Sequence, residues 1–193
     1  MVKLEFDELK EEEVIRVAKF MAIAAKTAPK AKGIDNLAIV ILTGDDKDRL
    51  AEEMLKLSEK YPFFERDAEN VKKSDAVIVI GLKNPTTLGL NCGACGFNSC
   101  KELKKARETA NLPLVYRGPI CAMELLNLGI ALGSAAKTAS DFNVDNRLMF
   151  SAGVAAIKAG LVEADIAIGI PLSATGKNIY FDRAWPKRGE KQR

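Results

Sequence analysis

Four cysteines in a chain of 193 residues fall into one pattern. Cys92-Gly-Ala-Cys95-Gly-Phe-Asn-Ser-Cys100 is followed, after 20 further residues, by Cys121, giving C-x2-C-x4-C-x20-C. Four thiolates are what a cubane [4Fe–4S] cluster takes, one per iron, and a [2Fe–2S] cluster also accepts four. Gly93 and Gly96 let the loop fold tightly and bring bare amides toward cluster sulfides. Cys100 should open a helix whose N-terminal dipole favours an anionic cluster. Gly118-Pro119-Ile-Cys121 should return the fourth ligand to a second helix start. Three rivals stay open. Structural zinc prefers two close C-x2–4-C pairs, whereas here Cys100 and Cys121 are far apart. A catalytic C-x-x-C dithiol leaves Cys100 and Cys121 unused. Plain packing cysteines have no reason to flank two glycines in a polar loop.

The chain has no histidine. That removes Ser-His-Asp and Cys-His catalysis, Cys2His2 zinc and histidine-ligated haem together. A second candidate site is Ser173-Ala-Thr175-Gly176-Lys177-Asn178. It follows an apolar run and offers hydroxyls at Ser173 and Thr175, amides at Gly176 and a cation at Lys177. A P-loop frame fails because Asn178 follows Lys177. Lys26 and Lys137 would add charge if their helix ends approach this loop, although lysine at a helix C-terminus is also ordinary dipole compensation. Asp145-Asn146-Arg147 reads as capping and local pairing, and Trp185 as packing or interface.

The elements that must position these residues alternate in type. Asp7–Lys26 has the spacing of an amphipathic helix with an acidic first turn. Asp45 or Asp46 caps another, ending near Lys60 before Tyr61-Pro62. Helices are also expected at Ser99–Ala110, Cys121–Ala136 and Asn146–Ala159. Leu37–Leu42, Ala76–Ile80, Leu112–Tyr116 and Asp165–Ile170 read as strands. Continuous apolar strands need cover on both faces, which predicts an α/β domain with a mainly parallel or mixed sheet. The expectation is a single domain over 1–193, with 84–121 as an embedded cluster-binding insertion. Ala24-Ala-Lys-Thr-Ala28 recurs as Ala135-Ala-Lys-Thr-Ala139, each with Asp-Asn downstream. This is either chance in an Ala- and Lys-rich chain or two similar helix ends.

A balance of 29 basic to 26 acidic residues without a basic stripe predicts no nucleic-acid partner. The first ten residues lack the apolar stretch of a signal peptide, and no run reaches the roughly 18 apolar residues of a membrane span. A cytoplasmic protein is expected, where reduced cysteines serve metal or redox chemistry.

The segment Asn91–Cys100 resembles the CGxCGxxxC iron–sulfur module of electron-transport and corrinoid proteins, with Cys121 in the place of its downstream fourth ligand. The whole chain is similar to a family of uncharacterised prokaryotic proteins described as containing a ferredoxin domain. Thr27–Gly33, the cysteine module and Gly169–Arg183 carry that likeness. It implies a redox protein, either an electron carrier or the cluster relay of an oxidoreductase, with an unidentified redox partner. A cluster-bearing sensing module and a zinc-stabilised structural protein remain as alternatives. A further likeness is to flavin nitroreductases, in the order of a helix ending near Pro29, a strand at Leu37 and a late strand into Pro171. It implies a nitroreductase-like fold, FMN and a homodimer. The early Arg-Ser-x-Arg phosphate-binding run of those enzymes is absent here.

Overall fold

Apolar runs alternate with helical periodicity, and the chain folds accordingly. The computed structural model describes residues 3–110 and 115–181. The elements are α1 (Phe6–Thr27), β1 (Leu37–Leu42), α2 (Gly44–Ser58), α3 (Phe63–Lys72), β2 (Ala76–Leu82), α4 (Cys100–Glu108), α5 (Ala122–Asp141), β3 (Asp145–Asn146), α6 (Phe150–Lys158) and β4 (Ile166–Ser173), with a 3-10 turn at Ala31–Gly33.

The four strands form one sheet in the order β1-β2-β4-β3. Leu37–Leu42, Ala76–Ile80 and Asp165–Ile170 therefore contribute to one sheet, but every pairing in it is antiparallel. The expected parallel or mixed sheet is corrected by the connection between β1 and β2. Two helices lie there, α2 and α3, packed side by side, so the chain runs out and back and re-enters at the end it left. Accordingly Leu42, the last residue of β1, faces Val77 near the start of β2. A continuous apolar run reports burial on both faces; strand direction depends on how many helices the connection holds.

Both faces are covered. Ile78, Ile80, Leu82, Ile170 and Leu172 point into a layer made by α1 and α5, and Val77, Val79 and Ala167 into one made by α2, α3 and α6. β2 is buried throughout, whereas β1, with one neighbour, is only partly buried along most of its length. α1 and α5 run antiparallel: the Ala31 amide, just beyond α1, donates to Asn127 Oδ1 early in α5 at 2.9 Å, and Phe20 stacks on Phe142 at the far end. The repeated Ala-Ala-Lys-Thr-Ala stretches are the C-terminal parts of these two helices. Thr27 and Thr138 each donate a hydroxyl hydrogen bond to the carbonyl four residues back.

α6 lies unusually close to β4. A Cβ on Gly153 would stand 1.9 Å from the carbonyl oxygen of Ala167. Because the obstacle is sheet backbone, Gly153→Ala is expected to destabilise the fold by about 1–3 kcal/mol through overpacking. Urea denaturation followed by circular dichroism measures it, and an unchanged midpoint would refute the close packing.

The helix expected from Asn146 begins only at Phe150, because Asp145 and Asn146 pair with Ser173 and Leu172 as β3. Of the strand expected at Leu112–Tyr116, residues 112–114 lie outside the described residues, as does Trp185, and Val115 and Tyr116 belong to no strand. Among the described residues no helix is long and apolar enough to cross a membrane.

Candidate metal centre

Cys92, Cys95, Cys100 and Cys121 all line one recess, together with Leu88 and Phe97. Three chain segments deliver them. Cys92 and Cys95 lie on the loop after β2, where Asn91, Gly93 and Gly96 take positive φ values of 47°, 73° and 85°. Glycine reaches that region without strain, and asparagine reaches it more readily than other side chains do. The Gly96 amide closes the turn onto the Gly93 carbonyl at 2.9 Å.

Cys100 is the first residue of α4, and Ser99 caps that helix by accepting from the Glu102 amide at 3.2 Å. Cys121 occupies the cap position of α5. Two helix N-termini therefore meet at the recess, each placing partial positive charge beside the cysteine sulfurs. The loop and α4 are tied directly as well. The Cys100 amide donates to Asn91 Oδ1 at 2.9 Å, and the Asn91 amide approaches Cys100 Sγ at 3.4 Å. Amide hydrogen bonds to sulfur stabilise the more negative state of such a ligand.

Exposure is graded around the recess. Cys92 is exposed, Cys95 and Cys100 are half-buried, and Cys121 is buried among Leu88 and Leu103, with Ala31, Ile34 and Met123 against them. The recess is narrow, about 10 Å³. Among the described residues no group of three or more His, Cys, Asp or Glu is arranged to hold a metal ion. Tetrahedral zinc would draw four sulfurs to about 3.8 Å from one another, given its short Zn–S bonds. A polynuclear cluster spreads its ligands over several irons and so spaces the four sulfurs more widely. Nothing lies within 4 Å of a Cβ built on Gly89, Gly93 or Gly96, so these three positions face open space, whereas Cys95 and Phe97 of the same loop pack inward against Leu88, Leu103 and Cys121.

The backing of this site was not evident from the sequence. Lys30 Nζ reaches the carbonyls of Lys26 and Ala28 at the end of α1, at 2.6 and 2.7 Å. Lys32, at φ 58°, reaches the Leu88 carbonyl at 3.1 Å. Behind Cys121, the fully buried Glu124 accepts from Asn36 at 2.6 Å. The stretch Thr27–Gly33 thus holds the cysteine loop from behind.

A second support centres on Asp165. Its carboxylate accepts from Arg107 Nη2 at 2.8 Å and from the Asn84 amide at 2.7 Å. Arg107 Nη1 also donates to the carbonyls of Arg117, at 2.7 Å, and Pro119, at 3.3 Å. These carbonyls immediately precede Cys121, so the pair anchors the fourth cysteine to the sheet.

The Ser173–Lys177 stretch divides. Ser173 ends β4 and is fully buried, and its Oγ has no partner among the described residues. Thr175, Gly176 and Lys177 are exposed in the following turn, where the Thr175 hydroxyl donates to the Lys177 carbonyl at 2.7 Å. Gly176 does not take a positive φ. Lys26 pairs instead with Asp35, and Lys137 with Asp141. Burial alone would raise the Asp35 carboxyl. The Lys26 and Leu37 hydrogen bonds, with the charges of Lys26 and Lys30, outweigh it and hold the group below its usual range. Asp145 accepts from Asn178 at 2.8 Å, and Arg147 lies over the Phe181 ring, so both serve local structure.

A protein of Archaeoglobus fulgidus, described only as uncharacterized, is 46% identical over 183 residues, which cover 94% of this chain and 97% of that one. Residues 117–183 match the model of DUF2148, described as an uncharacterized protein containing a ferredoxin domain. The chain belongs to this family. The matched residues include Cys121 but not the other three cysteines.

Among solved structures, a BluB-like flavoprotein from Clostridium difficile 630 superposes with a TM-score of 0.56 at 14% identity, over 91% of this chain and 85% of that one. Nitroreductase A from Vibrio parahaemolyticus gives 0.51 at 11% identity and covers 84% of this chain, which spans only 60% of the enzyme's length. At such identities the likeness is one of fold. The fold is nitroreductase-like, as the order of elements along the sequence implied.

Proposed function

We propose that this DUF2148 protein holds a [4Fe–4S] cluster on Cys92, Cys95, Cys100 and Cys121 and works in electron transfer, as a carrier or as the relay of an oxidoreductase. One observation carries the reading: Cys121, 20 intervening residues beyond the other three cysteines, lines a single recess with them at the N-termini of α4 and α5. The family's ferredoxin-domain description supports it. When bound, such a cluster supplies one-electron chemistry. The chain's own groups would set its character. The Asn91 amide favours negative charge on Cys100, and the exposed Cys92 side gives a partner protein its closest approach.

A flavin as second cofactor is favoured by the fold alone, since a flavoprotein and a nitroreductase share it. Anaerobic purification tests both parts at once. The expected result is a brown protein with about four irons and four acid-labile sulfides per chain. Flavin fluorescence released on denaturation would assign the relay role, and its absence the carrier role. Stoichiometric zinc without sulfide would refute the cluster.

A homodimer is supported by α5. Its exposed positions Leu125, Leu126, Gly129, Ile130 and Gly133 carry no charge, and Phe20 and Ile23 of the antiparallel α1 are exposed as well. Apolar faces of that extent are ordinarily covered, and a second copy presents a matching one. Light scattering should give twice the chain mass for the wild type and the chain mass for Ile130→Glu; a monomeric wild type would exclude the dimer.

A further inference from the structure

Cys121 lines a second and larger cavity, of about 550 Å³. That volume falls in the range of small-molecule sites, which are mostly apolar with a few placed polar groups. Pro85 and Leu103, both buried, and Pro119 provide apolar wall. Arg107 is held by Asp165 and two carbonyls, and so forms a fixed side of the cavity. Thr86 and Thr87 bring hydroxyls, and Lys104 brings a cation that makes no ion pair among the described residues. Glu108, one helical turn beyond Lys104, is the only carboxylate among the described lining residues.

We propose that this cavity binds a small organic monoanion, with an apolar body against Leu103, Pro85 and Pro119 and its carboxylate on Lys104 and the Thr86 and Thr87 hydroxyls. A charge-assisted contact supplies most of the selectivity, because the apolar wall accepts neutral and charged analogues alike. Glu108 opposes the same charge and sets an upper limit on affinity. Because Cys121 lines both cavities, the bound molecule lies beside a ligand residue of the proposed cluster. This last point rests on the cluster reading; the binding does not.

4-Fluorobenzoate, followed by fluorine NMR, is a direct probe, with 4-fluorobenzamide as its neutral counterpart. The expected result on the full chain is saturable benzoate binding. Lys104 is solvent-exposed, so Lys104→Met should weaken it about three- to fivefold, the upper range for loss of an exposed charge contact. Glu108→Gln should tighten it, and both variants should leave benzamide binding unchanged. In cluster-loaded protein, saturating benzoate should also alter the electron paramagnetic resonance spectrum of the reduced cluster. Absence of saturation at millimolar benzoate, or equal binding by wild type and Lys104→Met, would overturn the proposal. An unaltered spectrum at saturation would overturn the contact with Cys121. Lys104-dependent binding by a protein that never assembles a cluster would uphold the cavity and remove the cluster reading, so the two fail separately.

Discussion

Cys121→Ser is expected to reduce iron and sulfide from about four per chain to less than one, and to leave the far-ultraviolet circular dichroism unchanged. The two effects separate because of where Cys121 sits. It caps α5 but makes no side-chain cap hydrogen bond. Serine is among the preferred residues at that position, and its hydroxyl can accept from the exposed amides of the first turn. The helix therefore keeps its start while the buried ligand is lost. Cys92→Ser should be milder, since Cys92 is exposed and water can take its place at the edge of the site. Metal and sulfide analysis after identical anaerobic reconstitution compares the variants. Because a serine oxygen can itself ligate iron, full iron and sulfide in Cys121→Ala, which offers no donor atom, would exclude Cys121 as a ligand.

The cysteine recess was legible because its information is local and chemical. C-x2-C-x4-C, two loop glycines and a capped helix start are read in ten residues, and the structure bends that stretch with the positive φ values such glycines allow. Sheet direction was not legible, since it depended on α3. Phe63–Lys72 begins directly after Pro62, which ends one helical pattern and caps the next. With only one helix recognised between β1 and β2, a parallel crossover follows; with two, the antiparallel return does.

Pro171 misled in a similar way, by suggesting that the last strand ends at Ile170. β4 continues to Ser173. The Gly169 amide bonds to the Met149 carbonyl on the outer side of β4, and two residues on, Pro171 turns its nitrogen to that same side. There the neighbouring chain leaves the ladder between Asn146 and Met149, so no donor is missed. The turn after β4 therefore starts later than expected, and Ser173 is buried away from Thr175 and Lys177.

What supports the cysteines was the least legible part, because it consists of contacts between distant residues. Nothing in the sequence links Arg107 to Asp165, 58 residues away, or Asn84 to the same carboxylate from 81 residues away. An aspartate before an apolar strand reads as a loop residue. Its distinguishing property is burial: the side chain is only 7% exposed and that of Arg107 23%.

Asp165→Ala should therefore be strongly destabilising, by about 3 kcal/mol, the lower end of what breaking a buried pair costs, since Arg107 keeps some access to water. For a chain of this size that lowers the melting temperature by roughly 6–12 °C. The loss has two sources. Arg107 keeps its charge without a counterion, and the Asn84 amide loses its acceptor. Removing the guanidinium as well should restore part of the stability, so Arg107→Met/Asp165→Ala should melt above Asp165→Ala alone. The cluster should respond in the opposite order. Arg107 holds the carbonyls of Arg117 and Pro119, so the double variant frees the segment leading into Cys121 even where it recovers stability. Thermal melts together with the rate of cluster loss to a chelator give both orders. A melting temperature for Asp165→Ala within about 2 °C of wild type, well under the shift expected from a broken buried pair, would show that this pair does not anchor the fourth cysteine to the sheet.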